Sequence, residues 1–405
     1  MVNYPDDWRE VHFDDVIIPK ARIGWQGLKK HEYLKRGYSY LISGTDFHNG
    51  TISLDNIWYV SRERYDMDEN IQVQEGDVLV TKDGTIGKVA IVPKLDKPAT
   101  LNSHVYVFRT KDTLNAKFLY RVLMSKIFRQ FINYLQSGSI IASLAQKDLK
   151  NFSFMLPPLH EQQAIADTLS VFDTHITNLA ELIAKKKAIR DGALEDLMSG
   201  RTRLKGFSGE WTVKKLGECV TILQGGTPST LNRSYWGGDI VWVTPSEITA
   251  LKSMYISDSE RKITHDGLIH SSATLVPAGT ILLCSRATIG ELAIATRQMT
   301  TNQGFKNLLC KENIYNVFLA YLLLTLKKKL ISLANGTTFL ELSKQNLTDV
   351  EISLPPLDEQ QAIAETLTAF DDEIASLEAE RSKIIQIRDG AMNDLLTGKV
   401  RLVHH

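Results

Sequence analysis

Residues 156–204 have the sequence LPPLHEQQAIADTLSVFDTHITNLAELIAKKKAIRDGALEDLMSGRTRL, and residues 354–402 have the sequence LPPLDEQQAIAETLTAFDDEIASLEAERSKIIQIRDGAMNDLLTGKVRL. The two segments are identical at 27 of 49 positions without a gap. Their spacing of 198 residues is much longer than the roughly 20–50-residue period of solenoid proteins. The chain is therefore a tandem duplication, in which each globular segment is followed by one copy of this repeat.

Each copy of the repeat has the signals of one long helix. It follows a Pro-Pro pair, carries Glu161 or Glu359 in the first turn, and ends at Gly200 or Gly398. Proline is tolerated at a helix start, an acidic side chain there is favoured by the helix dipole, and glycine commonly terminates a helix. An apolar 3-4 spacing between these ends predicts a heptad seam. Its first members are Ile165, Leu169, Phe172, Ile176 and Leu179 in one copy, and Ile363, Leu367, Phe370, Ile374 and Leu377 in the other.

A shared seam in two copies of one sequence favours pairing of the copies with each other. We expect an antiparallel coiled coil with internal pseudo-twofold symmetry; the alternative is two unrelated surface helices, each packed on its own domain. Gly192 and Gly390 interrupt the helical pattern, which predicts a bend or a close backbone approach. A helix of this length spans roughly 50 Å, more than the roughly 34–36 Å of one turn of B-DNA.

The globular segments resemble each other more weakly. Trp8 and Trp211 each open a segment, residues 78–87 parallel residues 281–290, and Ser137-Gly138-Ser139 parallels Asn335-Gly336-Thr337. Short β-runs are predicted at 78–81, 88–92, 104–108, 241–244, 280–284 and 292–295, with Asp83-Gly84 as a hairpin signal. One amphipathic helix is predicted in each segment, at 118–135 and 317–333. These patterns predict an α+β fold for both segments, with domains at 1–155, 156–203, 204–353 and 354–405.

Composition indicates an ordinary globular protein. The 405 residues are 43% hydrophobic and 23% charged, and no run of eighteen apolar residues suggests a membrane span. Residues Met1 to Asp7 lack the basic and apolar regions of a secretory signal. Cys219, Cys284 and Cys310 have no metal-ligand spacing, and reduced thiols are the simplest interpretation. We therefore expect a cytoplasmic protein.

The charge is distributed unevenly although the formal net charge is zero. Segments 1–155 and 204–353 each carry a net charge of +3, whereas 156–203 carries −1 and 354–405 carries −5. This distribution fits globular domains that face phosphates and helices that face protein.

The sequence contains none of the catalytic motifs that we sought. Gly84-Thr85-Ile86-Gly87-Lys88 has only part of a phosphate-binding loop pattern and is better interpreted as a turn before a strand. Leu156-Pro157-Pro158-Leu159 lacks the polar residue and the aromatic residue of an amino-methyltransferase motif. The ten histidines form no metal-ligand set, and His404-His405 are either native or a tag remnant. We expect no catalytic and no metal-binding residue.

The whole chain resembles the DNA-specificity subunit of Type I restriction-modification systems. The two repeat helices carry this resemblance, together with the Thr-Ile-Gly turn of each globular segment. The second segment adds Gly225-Gly226-Thr227-Pro228, residues 235–240 and Trp242-Val243-Thr244. The first segment departs from the pattern, because residues 40–46 stand where Thr244-Pro245-Ser246-Glu247 stands in the second.

The resemblance implies two target recognition domains that each recognise one half of a split, asymmetric site in double-stranded DNA. It implies that the helices set the gap between the half-sites and dock two modification subunits, which methylate adenine N6, and that restriction subunits join them. The chain would bind no cofactor itself. S-adenosylmethionine, ATP and Mg would belong to the partner subunits, and no membrane is involved.

Base recognition needs donors and acceptors directed at base edges, mostly in the major groove. In the first domain the predicted DNA-binding residues are Lys29, Lys30, Lys35, Arg36, Ser43, Thr45, Asp46, Lys82, Asp83, Thr85 and His104. In the second domain they are Thr227, Ser229, Arg233, Thr244, Ser246, Glu247, Arg286, Thr288, Asn302 and Gln303. Predicted partner-binding residues are Phe172, Ile176, Leu179, Phe370, Ile374 and Leu377.

Among these residues we expect the pairs Lys82/Arg286 and Thr85/Thr288 to occupy matching positions. Each candidate could instead be a solvated loop residue, and His104 could be a structural histidine in a strand. Two other functions remain open. One is a protein scaffold with two divergent binding domains and no DNA. The other is a specificity module serving a fused methyltransferase-nuclease.

Overall fold

The computed structural model describes residues 4–23, 27–138, 143–335 and 340–402. Met1–Asn3, Ser139, Gly336-Thr337 and His404-His405, which the sequence analysis names, lie outside the described residues. The chain forms two compact units. Unit 1 consists of Met1–Ala180 and Ala379–His405, and unit 2 consists of Glu181–Glu378. Each unit thus combines a globular domain with part of both repeat helices. This division differs from the four consecutive domains predicted from the sequence, and those domain bounds remain a prediction.

The globular part of unit 1 is a mixture of short strands and short helices. Its strands are β1 (Arg9–His12), β2 (Ile17–Ala21), β3 (Ser39–Ile42), β4 (Phe47–His48), β5 (Thr51–Ile52), β6 (Trp58–Val60), β7 (Gln72–Val73), β8 (Val78–Thr81), β9 (Val89–Ile91), β10 (Ala99–Leu101), β11 (Val105–Thr110) and β12 (Ser153–Leu156). Its helices are α1 (Phe13–Val16), α2 (Arg62–Asp66), α3 (Ala116–Met124), α4 (Lys126–Gly138) and α5 (Gln146–Leu149).

The globular part of unit 2 has the same kind of architecture. Its strands are β13 (Thr212–Lys215), β14 (Val220–Gln224), β15 (Trp236–Val243), β16 (Tyr255–Ile256), β17 (Lys262–Ile263), β18 (Ile281–Cys284), β19 (Leu292–Ala295), β20 (Thr300–Thr301), β21 (Phe305–Cys310) and β22 (Glu351–Leu354). Its helices are α7 (Leu216–Cys219), α8 (Pro245–Ala250), α9 (His265–Ile269), α10 (Asn316–Thr325), α11 (Lys327–Ser332) and α12 (Lys344–Thr348).

The sheets repeat one topology. Unit 1 has the strand orders β1-β12, β6-β3-β10-β7 and β2-β11-β8-β9-β5-β4, and unit 2 has β13-β22, β17-β15-β20 and β14-β21-β18-β19-β16. In both units the central strands of the largest sheet are antiparallel, while β3 pairs with β10 and β15 pairs with β20 in parallel. The chain therefore contains two repeated domains of mixed α and β structure, as the sequence predicted.

One core cluster of each domain lies between its largest sheet and its helices, and a second lies between its two larger sheets. Phe118 of α3 and Phe318 of α10 are fully buried at corresponding positions, and Phe108 and Leu308 face them from β11 and β21. Burying an aromatic or aliphatic side chain of this size contributes about 1.5–3 kcal/mol each. The duplicated α and β pattern therefore produces the same core twice.

Three sequence predictions of local structure were wrong. The single helix expected at 118–135 is two helices, because Ser125 is extended (φ −78°, ψ 174°) and its hydroxyl accepts a hydrogen bond from Ile127 N–H at 3.1 Å. The helix expected at 317–333 is likewise divided at Leu326, where α10 ends before α11. His104 precedes β11 instead of lying in it. The β8–β9 hairpin is confirmed.

The two repeat helices are α6 (Leu159–Met198) and α13 (Leu357–Leu396). Gly200 and Gly398 follow their ends with φ of +69° and +67°, the left-handed conformation that glycine adopts at helix ends. Both helices continue through Gly192 and Gly390, and among the described residues nothing lies within 4 Å of a Cβ built on either glycine. The predicted close backbone approach is therefore wrong.

Parts of α6 and α13 pack against each other inside each unit. In unit 1, Asp173 pairs with Arg388 at 3.0 Å and His175 with Glu380 at 3.6 Å. In unit 2, Lys187 pairs with Glu378 at 2.6 Å and Arg190 with Asp371 at 3.5 Å. Residue numbers rise along one helix as they fall along the other, so the paired segments are antiparallel within each unit.

Candidate nucleic-acid interface

In unit 2, four loops meet around residues 302–304. The loop after β14 contributes the Gly226 N–H, which donates to the Thr301 carbonyl at 2.8 Å. Asn302 N–H donates to the Val243 carbonyl at the end of β15, at 3.0 Å. Ser285 N–H, directly after β18, donates to the Gly304 carbonyl at 2.7 Å. Candidate residues from distant parts of the sequence are thereby brought to one end of the sheets.

The glycine pair at 225–226 explains how closely these loops approach each other. A Cβ on Gly225 would lie 2.0 Å from the Asn302 carbonyl oxygen, and one on Gly226 would lie 2.3 Å from the Ser272 carbonyl carbon. Thr227, the next residue, reaches the side-chain oxygen of Gln303 with its hydroxyl at 2.5 Å. The structure thus brings Thr227 and Gln303 together, and their role in base recognition stays a prediction. Ser229 and Arg233 lie on an exposed part of the same loop.

The same turn follows β3 in unit 1 and β15 in unit 2. Thr244 Oγ1 donates to Glu247 at 2.7 Å, and Glu247 also accepts from the Thr244 and Glu260 backbone N–H groups, both at 2.7 Å. In unit 1, Ser43 donates to Asp46 from its backbone at 2.7 Å and from its hydroxyl at 2.8 Å. The apparent departure of the first domain from the sequence pattern is therefore one capping box built from different residues.

These capping bonds occupy acidic groups that we predicted to contact bases. Burial raises the pKa of Asp46 above its ordinary value, although the bonds from Ser43 oppose this. The neighbouring hydroxyls of Thr45 and Ser246 are exposed. Within these turns the exposed hydroxyls are therefore better placed than the carboxylates to meet a ligand, and their role in binding stays a prediction.

Unit 1 assembles its loops in a similar way around residues 102–104. Asn102 N–H donates to the Ile42 carbonyl at 2.9 Å, and Lys82 N–H donates to the His104 carbonyl at 3.0 Å. In unit 2 the Gly226 N–H donates to the Thr301 carbonyl. At the corresponding place in unit 1, the buried Arg22 donates through Nε to the Leu101 carbonyl at 3.0 Å. Sequence reasoning missed Arg22, because nothing in the sequence distinguishes it from a surface arginine.

The basic stretch of unit 1 lies along the edge strand β6. Lys35 Nζ stands 3.8 Å from the centre of the Trp58 ring, and the Leu34 N–H donates to the Tyr59 carbonyl at 2.9 Å. β3 separates β6 from β10 in the sheet. The exposed cations there are Lys29, Lys30, Lys35 and Arg36.

The turns after β8 and β18 correspond residue by residue. Gly87 N–H donates to the Thr81 carbonyl at 2.9 Å, and Gly290 N–H donates to the Cys284 carbonyl at 3.1 Å. Counting from these bonds, Thr85 corresponds to Thr288, as predicted. Lys82 corresponds to Ser285, however, and Asp83 corresponds to Arg286. The expected match of Lys82 with Arg286 is wrong by one position.

The corresponding residues Asp83 and Arg286 have opposite charges, and each is held by a side-chain partner from a later loop. Asp83 Oδ1 lies 2.6 Å from His104 Nδ1, while Arg286 Nη2 lies 2.7 Å from Glu341 Oε2. Glu341 also receives the buried Lys306 Nζ at 3.2 Å. Burial would raise the pKa of Glu341, but the bonds from Arg286 and Lys306 outweigh it and lower that pKa.

The apex of each turn is left-handed. Gly84 has φ +68° and Ala287 has φ +57°. Thr288 N–H donates back to the Arg286 carbonyl at 2.6 Å, which makes residues 286–288 a strained γ-turn. A non-glycine residue in this conformation is uncommon and frequently marks a functional site.

Each repeat helix begins at a buried carboxylate that an arginine binds. Glu161, fully buried, accepts from Arg401 Nε at 2.7 Å and from Trp8 Nε1 at 3.0 Å. Glu359, also fully buried, accepts from Arg203 Nε at 2.5 Å and Nη2 at 2.6 Å. Sequence analysis assigned these glutamates only to the helix dipole and missed their arginines.

The glutamine after each of these glutamates attaches its helix to the globular domain. Gln162 accepts from Asn115 N–H at 2.8 Å and donates to the carbonyls of Thr113 at 3.0 Å and Pro157 at 2.8 Å. Gln360 makes the same bonds to Tyr315, Asn313 and Pro355. The repeated Glu-Gln pair therefore has a structural role that explains its presence in both copies.

The predicted partner-binding residues lie mostly inside the protein. Ile176, Leu179 and Ile374 are buried, with 9%, 6% and 6% exposure, and Phe172, Phe370 and Leu377 are half-buried. The three buried side chains have no surface to offer a partner, because the packing of the chain already covers them. For all six residues the role in partner binding stays a prediction.

In residues 4–23, 27–138, 143–335 and 340–402, no group of three His, Cys, Asp or Glu side chains could hold a metal ion. No helix in these ranges is long and apolar enough to cross a membrane.

The fold is that of a duplicated protein with two recognition domains on repeated helices. The model of the Type I restriction modification DNA specificity domain matches residues 5–187 and again residues 208–386. The chain therefore belongs to this family, as the sequence resemblance indicated.

Relatives and solved structures agree with this assignment. The MjaIX specificity subunit of Methanocaldococcus jannaschii is 44% identical over 165 residues, which are 40% of this chain and 38% of that protein. The putative MjaX specificity subunit of the same organism is 26% identical over 98% of this chain and 95% of its own length. The Type I S subunit from M. genitalium has the same fold, with a TM-score of 0.60 and 20% identity, over 98% of this chain and 97% of that one.

Proposed function

We propose that this chain recognises a bipartite, asymmetric site in double-stranded DNA and directs adenine-N6 methyltransferase and restriction subunits to it. One observation carries the proposal. In each domain several loops meet at one end of the same arrangement of strands, and the polar residues of these loops differ between the two domains. Family membership and the specificity subunits among the relatives support it. The predicted DNA-binding residues remain its candidate contacts.

The proposal assigns target recognition to residues 1–155 and 204–353, and assembly to residues 156–203 and 354–405. The assembly segments would form an antiparallel coiled coil with pseudo-twofold symmetry. The antiparallel contacts inside each unit support this arrangement. The chain would catalyse no reaction and bind no cofactor, leaving S-adenosylmethionine, ATP and Mg to its partners. We expect the chain to act in the cytoplasm, where it would meet double-stranded DNA.

Docking of the modification subunits belongs, in this proposal, to the exposed sides of the helices. Apolar side chains are exposed there, with Val171 at 70%, Ile189 at 45% and Ile387 at 43%. A contiguous exposed apolar patch commonly marks a protein contact, and Val171 is the most exposed of these three side chains. Val171→Glu should therefore reduce co-purification of a modification subunit, whereas Thr174→Glu, an exposed neighbour, should leave it unchanged. Equal effects of the two variants would contradict this placement.

The function is tested with the full chain and its modification partners. Methylated adenines are sequenced in a host that carries the complex, and binding to DNA is measured over a range of salt concentrations. We expect one two-part motif, and an affinity that falls linearly with salt on logarithmic axes as phosphate contacts release counterions. Absence of both a motif and salt-dependent binding would overturn the proposal and favour a protein scaffold.

A further inference from the structure

The two domains differ in charge at one matching position of the loop clusters. Asp83 in unit 1 and Arg286 in unit 2 follow β8 and β18 by the same number of residues, and each forms a β-bridge with a later loop, at Ser143 and Glu341 respectively. The backbone scaffold is therefore shared, and the side chain at this position is the variable part.

Both side chains reach the surface while a partner fixes their orientation. The Asp83 side chain is 26% exposed and pairs with His104, which is 55% exposed. The Arg286 side chain is 42% exposed and pairs with Glu341, which is 33% exposed. Lys306, with only 4% of its side chain exposed, holds Glu341 from the interior. A guanidinium fixed in this way loses less freedom when it binds a second acceptor.

The hydrogen-bonding capacities of the two groups are opposite. A guanidinium has five N–H donors and no acceptor, whereas an ionised carboxylate only accepts. The ion pair with Glu341 engages Nη2, one of three guanidinium nitrogens. Arginine binds the O6 and N7 acceptors of guanine through two donors, and carboxylates accept from exocyclic amino groups such as cytosine N4.

We propose that Arg286 and Asp83 determine sequence specificity at corresponding positions of the two half-sites. Arg286 binds a guanine through its O6 and N7, and Asp83 accepts from the exocyclic amino group of a base. Glu341 and Lys306 are positioning residues for Arg286. This inference rests on the proposed function and deepens it. It predicts that the recognised base offers hydrogen-bond acceptors in one half-site and an amino donor in the other.

The test determines methylation motifs for the full complex containing wild-type chain, Arg286→Ala, Asp83→Asn or the control Arg297→Ala. Arg297 is exposed and lies beyond the far end of β19 from the turn. Arg286→Ala should reduce discrimination at one guanine of one half-site by roughly 5- to 150-fold. Asp83→Asn should relax one position of the other half-site, and Arg297→Ala should change nothing.

An unchanged motif in Arg286→Ala and Asp83→Asn would overturn the inference. So would a uniform loss of affinity with a salt slope reduced by about one, which marks a phosphate contact. In either case the wild-type complex would still yield its motif, and the proposed function would stand. If the wild-type complex itself yields no motif and binds no DNA, the proposed function fails instead.

Two further measurements separate base recognition from a structural role. Replacing the assigned guanine with 7-deazaguanine removes N7, so wild-type chain should bind more weakly while Arg286→Ala should not respond. Glu341→Gln should weaken discrimination at the same guanine only, because the arginine loses its fixed orientation. If Glu341→Gln lowers thermal stability but leaves discrimination unchanged, Glu341 has only a structural role.

Discussion

The helix starts and the loop clusters of the two units have diverged to different degrees. Glu161 and Glu359 are both buried and both bound by an arginine, and the glutamines that follow them make matching bonds to the backbone. In the loop clusters, by contrast, unit 1 has Asp83 where unit 2 has Arg286. The Arg22 side chain of unit 1 donates to a backbone carbonyl where unit 2 uses the Gly226 N–H. Networks that hold the helices to the domains tolerate little change, whereas loops on a rigid scaffold can vary.

The largest predicted effect is loss of the arginines at the helix starts. Arg203→Ala leaves the fully buried carboxylate of Glu359 without its guanidinium, and removing one partner of a buried charge is strongly destabilising. In Arg401→Ala, Glu161 keeps the hydrogen bond from Trp8, so the loss should be smaller by about 1.5–3 kcal/mol. The corresponding Trp211 Nε1 is buried without a partner among the described residues. Urea denaturation measures both variants, and hydrogen exchange assigns the loss to one unit.

Arg201→Ala is the matched control for this comparison. Arg201 forms surface ion pairs with Glu195 and Asp196 while 58% of its side chain stays exposed, and exposed pairs contribute about 0–1 kcal/mol. If Arg203→Ala is no more destabilising than Arg201→Ala, the buried carboxylate does not depend on its arginine. Equal losses in Arg203→Ala and Arg401→Ala would remove the role assigned to Trp8.

A second prediction concerns the part of the helix start that is the same in both units. Gln162→Ala and Gln360→Ala each leave one backbone donor and two backbone acceptors without the side-chain amide. We expect a loss of about 2 kcal/mol in each unit, since an unsatisfied buried polar group costs about 1–3 kcal/mol. The exposed neighbour Gln163 is the control, and Gln163→Ala should cost less. Losses that differ strongly between Gln162→Ala and Gln360→Ala would show that the two networks are not equivalent.

The sequence predicts one side of this comparison far better than the other. Two near-identical copies revealed the helices, and Gly200 and Gly398 revealed their ends, because these signals are local. The partners of Glu161 and Glu359 are 240 and 156 positions away, and no local pattern announces them. The loops were predicted as candidates, and the parallel between residues 78–87 and 281–290 already aligns Asp83 with Arg286, but their partners His104 and Glu341 come from later loops that the local pattern does not indicate. The heptad pattern placed Ile176 and Leu179 on one helix face, and both are buried, but the pattern alone did not say what covers them.

Gly84→Ala examines the turn that both loop clusters share. A Cβ on Gly84 meets nothing within 4 Å among the described residues, so the only cost is the left-handed backbone at φ +68°. This conformation costs an L-residue roughly 1–2 kcal/mol. Thermal unfolding should therefore detect a loss of about 1 kcal/mol, with Gly76, also left-handed and unobstructed, as a control position in the same unit. A neutral Gly84→Ala would mean that the turn relaxes to another conformation.

The smallest effect is expected for the reverse substitution in unit 2. Ala287→Gly relieves the strain at φ +57° but adds conformational entropy to the unfolded chain, so its stability should stay within about 0.5 kcal/mol of wild type. Thermal unfolding and discrimination at the guanine assigned to Arg286 are measured on the same variant. If the strained turn orients Arg286, discrimination falls while stability does not. If neither quantity changes, the strain at Ala287 has no part in orienting Arg286.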